Sequence, residues 1–314
     1  MPDEFPIAAE RDLNRHTFES ALGEDFAAFV RENSNAGIRI HVPAGYESDT
    51  PVVARYALGE NADAAIDDNI IVAEAGSRVT VVIIADSADA SRCFRGGRTR
   101  ILAENCAVVR LVQIQTMNAS SAHLSDVSAV VWNGARVEVT QIELGAESAY
   151  AGCRLKLLGN QSAAAADTFY FGDGDRKLDF NYIARHVGYG SRSELNAGGA
   201  LFGASDKIYR GTLDFAPGAV QAKGRETENT LLFSDKARGR SAPLILCGEE
   251  DVEGSHAATI GKLDGNKLYY MQSRGLSEAE AKRLMVLAQL ETVLKKTPIE
   301  VERDRLRAYL SERI

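Results

Sequence analysis

Apolar and polar residues alternate with a period of two through most of the chain, the pattern of strands whose two faces lie in different environments. Three runs show it plainly, at residues 78–84, 107–115 and 135–144. A small or turn-forming group precedes each run, as Asn133-Gly134 does for the third. No helical pattern of ten to fifteen residues separates the runs, which disfavours an alternation of strands and helices.

The strand-like runs also resemble one another. Ser77 aligns with Cys106 at an offset of 29 residues, and Ala107 aligns with Ala135 at an offset of 28. A strand–turn unit that recurs at this length without helices is typical of a β-solenoid, in which each coil buries its inward side chains against its neighbours. An antiparallel sandwich would alternate in the same way and is the competing prediction. The repeat favours the solenoid.

Both ends of the chain depart from this pattern. Apolar residues at near-helical spacing predict a short helix over residues 18–31. We therefore expect three regions: a partly helical N-terminal segment (1–36), a β-helix core (37–265) and a C-terminal helical region (266–314).

Two helices are predicted in the C-terminal region. Ser277 and Glu280 form a capping box ahead of an apolar stripe, and Thr297 with Glu300 form a second one for a helix over about 298–312. Amphipathic helices that follow a solenoid either cap its end or dock a partner. The sequence leaves both alternatives open.

Composition places the chain among ordinary globular proteins, with 45% hydrophobic and 25% charged residues. The net charge of −8 disfavours binding to nucleic acid or to anionic membranes. Four cysteines without C-x-x-C spacing are too few for a disulfide scaffold. The acidic N-terminus lacks the apolar stretch of a signal peptide, and no apolar run is long enough to span a bilayer. We expect a cytoplasmic protein with reduced thiols.

Cys247 and His256 are the clearest candidates for chemistry. A thiolate is a soft ligand and a nucleophile, imidazole is a metal ligand, and a tight turn between strands could bring the two within a few ångströms. They cannot complete a four-ligand site alone, but a symmetric pair of chains could. A Cys after an aliphatic run is more often a small core residue. The nearby Glu249 and Glu250 are either a solvated turn or additional iron ligands.

The other cysteines and histidines give weaker signals. The cysteines lie in strand-like runs and are expected in the core: Cys93, Cys106 and Cys153. Three of the histidines are expected on the surface, in loops or in a turn: His16, His41 and His123. A fourth, His186, faces either a partner or the solenoid interior.

Residues 250–264, followed by residues 268–277, resemble the C-terminal signature of the SufB/SufD family, the scaffold components of the SUF iron–sulfur cluster assembly system. Shorter matches support this resemblance at residues 37–45, 209–211 and 229–232, and at His186 with Ser191 and Ser193. The resemblance covers about residues 37–290.

The resemblance implies a right-handed parallel β-helix flanked by helices. It implies pairing through the β-helix, with a second copy of the chain or with a SufB/SufD paralogue, and sulfur delivered by a donor protein. It also implies that an ABC-type ATPase similar to SufC docks on a helix over residues 277–296. The residues expected to bind it are Ser277, Glu280, Leu284 and Leu287.

The resemblance further implies that Cys247 stands at the cysteine of SufB-type proteins that accepts sulfur and helps to hold the nascent cluster. His256 matches the histidine of the S-H-G-A-T stretch of SufD-type proteins and also the histidine of the corresponding E-H-E-A-T stretch of SufB-type proteins. Gly254 and Ala257 depart from the family, since SufD-type proteins often have Cys at the first position and SufB-type proteins have Glu at the second.

The expected function is therefore a non-catalytic scaffold that binds a transient Fe–S cluster or iron through Cys247 and His256. No permanently bound cofactor is expected, and ATP hydrolysis belongs to the partner. Two alternatives stay open: a structural adaptor of the same complex without cluster chemistry, and a β-helix enzyme that acts on carbohydrate.

Overall fold

The computed structural model describes residues 17–88, 91–262 and 265–314. Within these ranges the strands form two eight-stranded sheets, here called the odd sheet and the even sheet. The odd sheet contains β1 (Arg39–Val42), β3 (Ala64–Ala73), β5 (Phe94–Ala103), β7 (Ala122–Val131), β9 (Ser148–Leu157), β11 (Lys177–His186), β13 (Asp206–Phe215) and β15 (Arg238–Cys247). The even sheet contains β2 (Val52–Leu58), β4 (Arg78–Ser87), β6 (Val108–Thr116), β8 (Arg136–Glu143), β10 (Ala163–Gly172), β12 (Arg192–Leu201), β14 (Ala222–Leu232) and β16 (Val252–Lys262).

The chain winds through the two sheets in turn, because every strand pairs in parallel with the strand two places later. Arg78 of β4 lies beside Val108 of β6, which lies beside Arg136 of β8. These steps of 30 and 28 residues match the repeat seen in the sequence. The predicted parallel solenoid is therefore confirmed, and the antiparallel sandwich is wrong.

Alternate residues of each strand point into the interior and form the core. Val79, Val81 and Ile83 of β4 are almost completely buried, and Val79 and Val81 lie beside the buried apolar residues Val109 and Leu111 of β6. Because each inward residue lies beside its equivalent in the next coil, the core consists of columns of side chains that run along the solenoid.

Polar residues interrupt these columns in the middle of the solenoid. Tyr182 donates a hydrogen bond to the Oε1 atom of Gln141, and the Nε2 atom of Gln141 donates to Oε1 of Gln113 over 2.9 Å. Ser125 donates to the same Gln113 oxygen over 3.0 Å. The interior thus holds a hydrogen-bonded polar chain that bridges the two sheets, rather than apolar side chains alone.

Four helices lie outside the coils in the described ranges: α1 (Glu24–Asn33), α2 (Gly265–Ser273), α3 (Glu278–Leu294) and α4 (Glu300–Ser311). The helix predicted over 18–31 starts only at Glu24, because residues 17–23 run in non-helical conformation over the odd sheet. The earlier part of the predicted N-terminal segment, with His16, lies outside the described residues. Helix α2 has no counterpart among the sequence predictions.

Helices α3 and α4 pack on the flank of the solenoid. Leu290 and Leu306 are fully buried in a cluster with Val82, Ile114 and Phe169 from the outer face of the even sheet. Of the two alternatives for these helices, capping the end of the solenoid is therefore wrong.

The starts of the two helices agree only in part with the predicted capping boxes. The box at Ser277 and Glu280 is confirmed, with both reciprocal hydrogen bonds present. The box at Thr297 is wrong, because α4 begins at Glu300 after Ile299, which makes no side-chain capping bond.

Candidate functional site

The last coil of the solenoid, formed by β15 and β16, is open at its far side. Both strands are sheet edges, and within the described residues no further strand pairs with them. Nearly all of their side chains are exposed or half-buried, whereas in the coil beneath, β13 and β14, most of the inward side chains are buried. The interior columns therefore end at a mouth that is accessible to a partner, here called the open end.

Cys247 is the last inward residue of β15. It lies beside Phe215 of β13, which in turn lies beside His186 of β11, so the thiol continues a column of interior side chains. Phe215 and His186 are completely buried, but Cys247 is exposed because no coil follows it. The core alternative for Cys247 is thus only half right: the side chain occupies a core position that is left uncovered.

His256 also occupies an inward position, on the opposite wall of the solenoid. It lies in β16 beside Glu226 of β14, which lies beside the fully buried Leu195 of β12. The imidazole is exposed at the open end, and no hydrogen bond or ion pair to it is found among the described residues.

Two glycines show how the walls face each other at the open end. A β-carbon on Gly239 of β15 would lie 2.9 Å from the side chain of Ile260 in β16. A β-carbon on Gly254 of β16 would lie 3.2 Å from the side chain of Ile245 in β15. The start of each strand thus faces the end of the other across the interior.

This order separates Cys247 from His256 within one chain. Cys247 falls opposite Val252, at the start of β16, whereas His256 falls opposite Pro243. Four residues of strand correspond to about 13 Å along the solenoid mouth. A single chain therefore does not bring the thiol and the imidazole together, although the turn between their strands is tight.

A buried ion pair lies one coil beneath the open end. The Nζ atom of Lys207 contacts a carboxylate oxygen of Glu228, and both side chains are completely buried. Lys207 also donates to the carbonyl oxygen of Arg240 over 3.2 Å. Burial lowers the pKa of Lys207, while the charge of Glu228 opposes this effect.

Glu226 lies beside this pair without a cation of its own. Its side chain is 2% exposed, and its Oε2 atom has no hydrogen-bond partner. Burial, and then the charge of Glu228, raises the pKa of Glu226 to about 7. The sequence prediction missed these residues, although the charged residues at alternate positions of 225–228 in a strand were a usable signal for inward-facing carboxylates.

Glu249 and Glu250, in the turn after β15, differ in their hydrogen bonding. Glu249 accepts backbone N–H groups from Gly218 and Glu250, both at 3.0 Å, and these bonds lower its pKa. Glu250 is exposed and its side chain makes no such bond. In the part of the chain that the structure describes, no three Cys, His, Asp or Glu side chains are grouped to hold a metal ion.

Several other expectations about Cys and His are now settled. Cys93 and Cys153 are buried as predicted, but Cys106 is exposed in a turn with a φ of 60°, so its core prediction is wrong. His123 is buried in β7 rather than placed in a turn. His186 faces the interior.

His186 is fixed by its neighbours in the interior. Its ring nitrogens lie 2.8 Å from the hydroxyls of Ser191 and Ser193, and the ring stacks on Phe215. Burial lowers the pKa of His186 to about 4, so the ring is neutral at neutral pH.

The helical residues expected to bind a partner have different environments. Ser277 and Glu280 are exposed and hydrogen-bond to each other at the start of α3. Leu284 is 53% exposed, whereas Leu287 packs partly against the cluster beneath the helix. Tyr269 and Tyr270 of α2 are also largely exposed, so the outer surface of α2 and α3 carries large apolar groups.

The comparison with known proteins gives the family. Residues 56–289 match the model described as "SUF system FeS cluster assembly, SufBD core domain". The chain belongs to the SufBD family. The match covers nearly the whole solenoid together with α2 and most of α3, so the SufB/SufD resemblance read from the sequence is confirmed.

Individual SufBD relatives are similar at low identity. The chain is 26% identical over 282 residues to the iron–sulfur cluster assembly protein SufD of Bacillus subtilis, covering 89% of this chain and 64% of that protein. It is 25% identical over 273 residues to a SufBD family protein of Mycobacterium leprae, covering 85% of this chain and 31% of the relative. The chain is 23% identical over 306 residues to a SufBD family protein of Staphylococcus epidermidis, covering 96% of this chain and 66% of that protein.

The chain therefore spans less than two thirds of the length of each of these SufBD relatives. Membership of the iron–sulfur cluster assembly family rests on the shared core domain. Within the described ranges, none of the helices combines the length and the apolar character needed to cross a membrane.

Proposed function

We propose that this chain is a non-catalytic scaffold subunit of SUF-type iron–sulfur cluster assembly, and that two chains pair through the open end. The observation that carries the proposal is the uncovered last coil, where Cys247 and His256 occupy inward positions yet are exposed. A second copy is the simplest partner, and a SufB/SufD paralogue is the other.

The physical reason for pairing is the uncovered edge. The strands β15 and β16 present backbone groups without strand partners in the described structure, and such edges readily add another strand. The mouth is lined by half-buried Ile245 and Ile260. Stacking a second solenoid on this end would cover these apolar groups and continue the columns of the core.

Pairing also supplies the ligands that one chain lacks. A two-fold axis through the mouth reverses the order of residues, so Cys247 of one copy can face His256 of the other, although they lie apart in one chain. Iron and sulfur are cargo at this seam. The Cys247 thiolate attacks the outer sulfur of a cysteine persulfide on a donor protein, whose S–S bond breaks as the donor cysteine leaves as a thiolate. In cluster binding, Cys247 ligates iron as a thiolate and His256 provides a second ligand. Glu250 is a better further ligand than Glu249, whose carboxylate already accepts backbone N–H groups.

A SufC-like ABC ATPase would dock on the outer surface of α2 and α3, around Leu284. The exposed tyrosines of α2 and the exposed Leu284 form an apolar surface suited to a partner. Because α3 is anchored on the flank of the even sheet, movement of a docked ATPase would be transmitted to the solenoid and could open the seam.

Ile245→Glu tests pairing through the open end. The wild-type chain is expected to have a mass near twice 33.9 kDa in multi-angle light scattering, and Ile245→Glu is expected to be a single chain. The new carboxylate is hydrated at the mouth of a single chain but would be buried in the seam, which is strongly unfavourable.

Val52→Glu is the matched control, because Val52 is the equivalent partly exposed inward position of β2 at the opposite end. This variant should remain paired, and both variants should keep the far-ultraviolet circular dichroism of the wild type. A single-chain wild type, or an Ile245→Glu variant that stays paired, would show that the open end is not the pairing surface.

Cys247→Ser tests the thiol. After anaerobic incubation with iron and sulfide, the variant should lose most of the cluster absorbance and bound sulfide, because a serine hydroxyl is a poor ligand for these soft sites. Cys106→Ser is the matched control, since Cys106 is also exposed but lies in a turn of the solenoid. Wild-type stoichiometry in Cys247→Ser would mean that Cys247 does not hold the cluster.

The adaptor without cluster chemistry is a second candidate, favoured by the separation of Cys247 from His256 in one chain. It predicts that the chain co-purifies with the ATPase but contains neither iron nor acid-labile sulfide under anaerobic conditions. Nothing in the family assignment supports the carbohydrate enzyme.

A further inference from the structure

A short segment, here called the strap, crosses the outer face of the odd sheet ahead of α1. It consists of residues 17–22 and is not helical. Its Phe18 is 9% exposed. The side chain packs in an apolar trough lined by Ile70, Val72, Leu102 and Val130, with Trp132 and Leu158 at the border.

A row of side chains on four neighbouring strands holds the backbone of the strap. The row consists of Arg98, Asp126, Gly152 and Asn181, which are register partners in β5, β7, β9 and β11. Arg98 donates to the carbonyl of Phe18 over 2.7 Å, and Asn181 donates to the carbonyl of Ala21 over 2.7 Å. The N–H of Ala21 donates to Oδ1 of Asp126 over 2.9 Å.

Gly152 lets the strap approach the sheet. A β-carbon at this position would lie 2.9 Å from the side chain of Ala21 and 2.9 Å from Oδ1 of Asp126, which is closer than such contacts allow. The strap is therefore seated in a fitted groove rather than lying loosely on the sheet.

Asp126 is the least favourably placed side chain of this groove. Its side chain is completely buried under the strap, and its Oδ2 atom has no hydrogen-bond partner. Burial raises the pKa of Asp126 to about 6, although the strap N–H groups, Ser20 and Arg98 oppose this. Several charged and titratable groups surround Asp126. On the sheet and helix they are Arg98 and Arg100 of β5, Asp68 of β3 and Glu24 of α1. The Glu19–Arg154 ion pair joins the strap to β9, and the thiol of Cys153 lies in the interior.

We propose that the strap is a proton-sensitive latch, held most firmly when Asp126 is protonated and loosened when Asp126 is ionised beneath it. An ionised carboxylate under the closed strap lacks water and has one oxygen unpaired, whereas opening the strap hydrates it. The closed state therefore binds the proton more tightly than the open state. A rise in pH from about 4 to 6 favours opening, and the balance is constant above that range.

Opening would change the surface of the odd sheet. It would uncover the apolar trough beneath Phe18 and free Arg98, Asp126 and Asn181, the three groups that bind a peptide backbone here. The latch thus controls access to a groove for an extended segment. This groove lies on the outer face of β5, β7, β9 and β11, whereas the open end is formed by β15 and β16. The latch does not depend on the proposed pairing or cluster chemistry.

Hydrogen exchange of the strap amides in the full chain tests the latch. After correction for the intrinsic rate, protection of the peptide over residues 17–23 should rise by about 30-fold between pH 8 and pH 4.5, because the closed strap gains about tenfold for each pH unit between the pKa of about 6 and pH 4.5. In Asp126→Asn, protection should be high and independent of pH. Asp179→Asn, which alters an ion-paired carboxylate of β11 on the same face, should behave as wild type.

Trp132 gives a second readout that does not depend on any variant. It is the only tryptophan of the chain and borders the trough that Phe18 fills. Its emission should shift to longer wavelength as the pH rises from 4.5 to 8 in the wild type. Strap protection and emission that do not change with pH, or an Asp126→Asn strap that exchanges faster than wild type at pH 8, would overturn the proposal.

Discussion

Replacing Lys207 with Met is expected to destabilise the fold by about 3–5 kcal/mol. The substitution preserves the length of the side chain but removes the ammonium group that contacts Glu228, and both side chains of this pair are completely buried. The Glu228 carboxylate would then have to ionise in the interior without the Lys207 cation, or take up a proton. Urea unfolding at pH 7.5 measures the loss.

The cause can be separated from loss of packing. Lys207→Met combined with Glu228→Gln should regain much of the stability, because no isolated charge remains in the interior. Lys223→Met is the matched control, since Lys223 pairs with Glu253 between neighbouring coils but both side chains are at least half exposed. It should change stability by less than about 1 kcal/mol. Equal losses in Lys207→Met and Lys223→Met would contradict the argument.

The coils could be predicted from the sequence because the alternation of inward and outward residues is local and recurs in every coil. Alternation along residues 78–84 fixes which side chains point inward, and the repeat of 28 to 30 residues places each strand beside its equivalent. Parallel pairing follows, because each repeat contains two strands and two turns, so the chain returns to the start of the equivalent strand and runs in the same direction beside it. The SufB/SufD resemblance predicted the same parallel β-helix independently of this repeat.

The polar interior could be predicted only in part. Gln113 and Gln141 align in the repeat, which indicates that they stack, but their hydrogen bonds to Ser125 and Tyr182 connect two different sheets. The sequence does not show which residue of one sheet faces which residue of the other. The same gap explains why Cys247 and His256 were expected to meet across a tight turn, whereas the facing order of the walls separates them.

The strap was missed for a different reason. Phe18 and Ala21 have the spacing of a helix, and the predicted helix over 18–31 absorbed them. Their true partners are Arg98, Asp126 and Asn181, which lie about 80 to 160 residues later in the chain. Tertiary contacts of this kind override local helical propensity, and no local pattern records them.

Glu226→Gln should stabilise the chain at pH 8 by up to roughly 3 kcal/mol. In the folded chain the pKa of Glu226 is raised to about 7 from an ordinary value of 4.5, and each unit corresponds to about 1.4 kcal/mol. The folded state therefore binds the proton more tightly than the unfolded state. Stability contributed by the protonated group is complete below pH 4.5, is lost as the pH rises through 7, and is constant above that.

Unfolding by urea at pH 4.5 and at pH 8 checks this sign. The gain from Glu226→Gln should be present at pH 8 and nearly absent at pH 4.5. Glu253→Gln is the matched control, because Glu253 lies in the adjacent strand β16 with an exposed side chain, and its gain should be small at both pH values. A destabilised Glu226→Gln variant at pH 8 would mean that the ionised carboxylate has a favourable partner in solution.

The same residue connects stability to pairing. Glu226 lies directly beneath His256 at the open end, so a second solenoid stacked there would remove the remaining access of water to its carboxyl group. Pairing would then raise its pKa further, and protonation would favour the pair. The dissociation constant of the wild-type pair, measured by sedimentation, should fall as the pH is lowered from 8 to 6, whereas that of Glu226→Gln should change much less. An equal pH dependence in both chains would place the linked proton on another group.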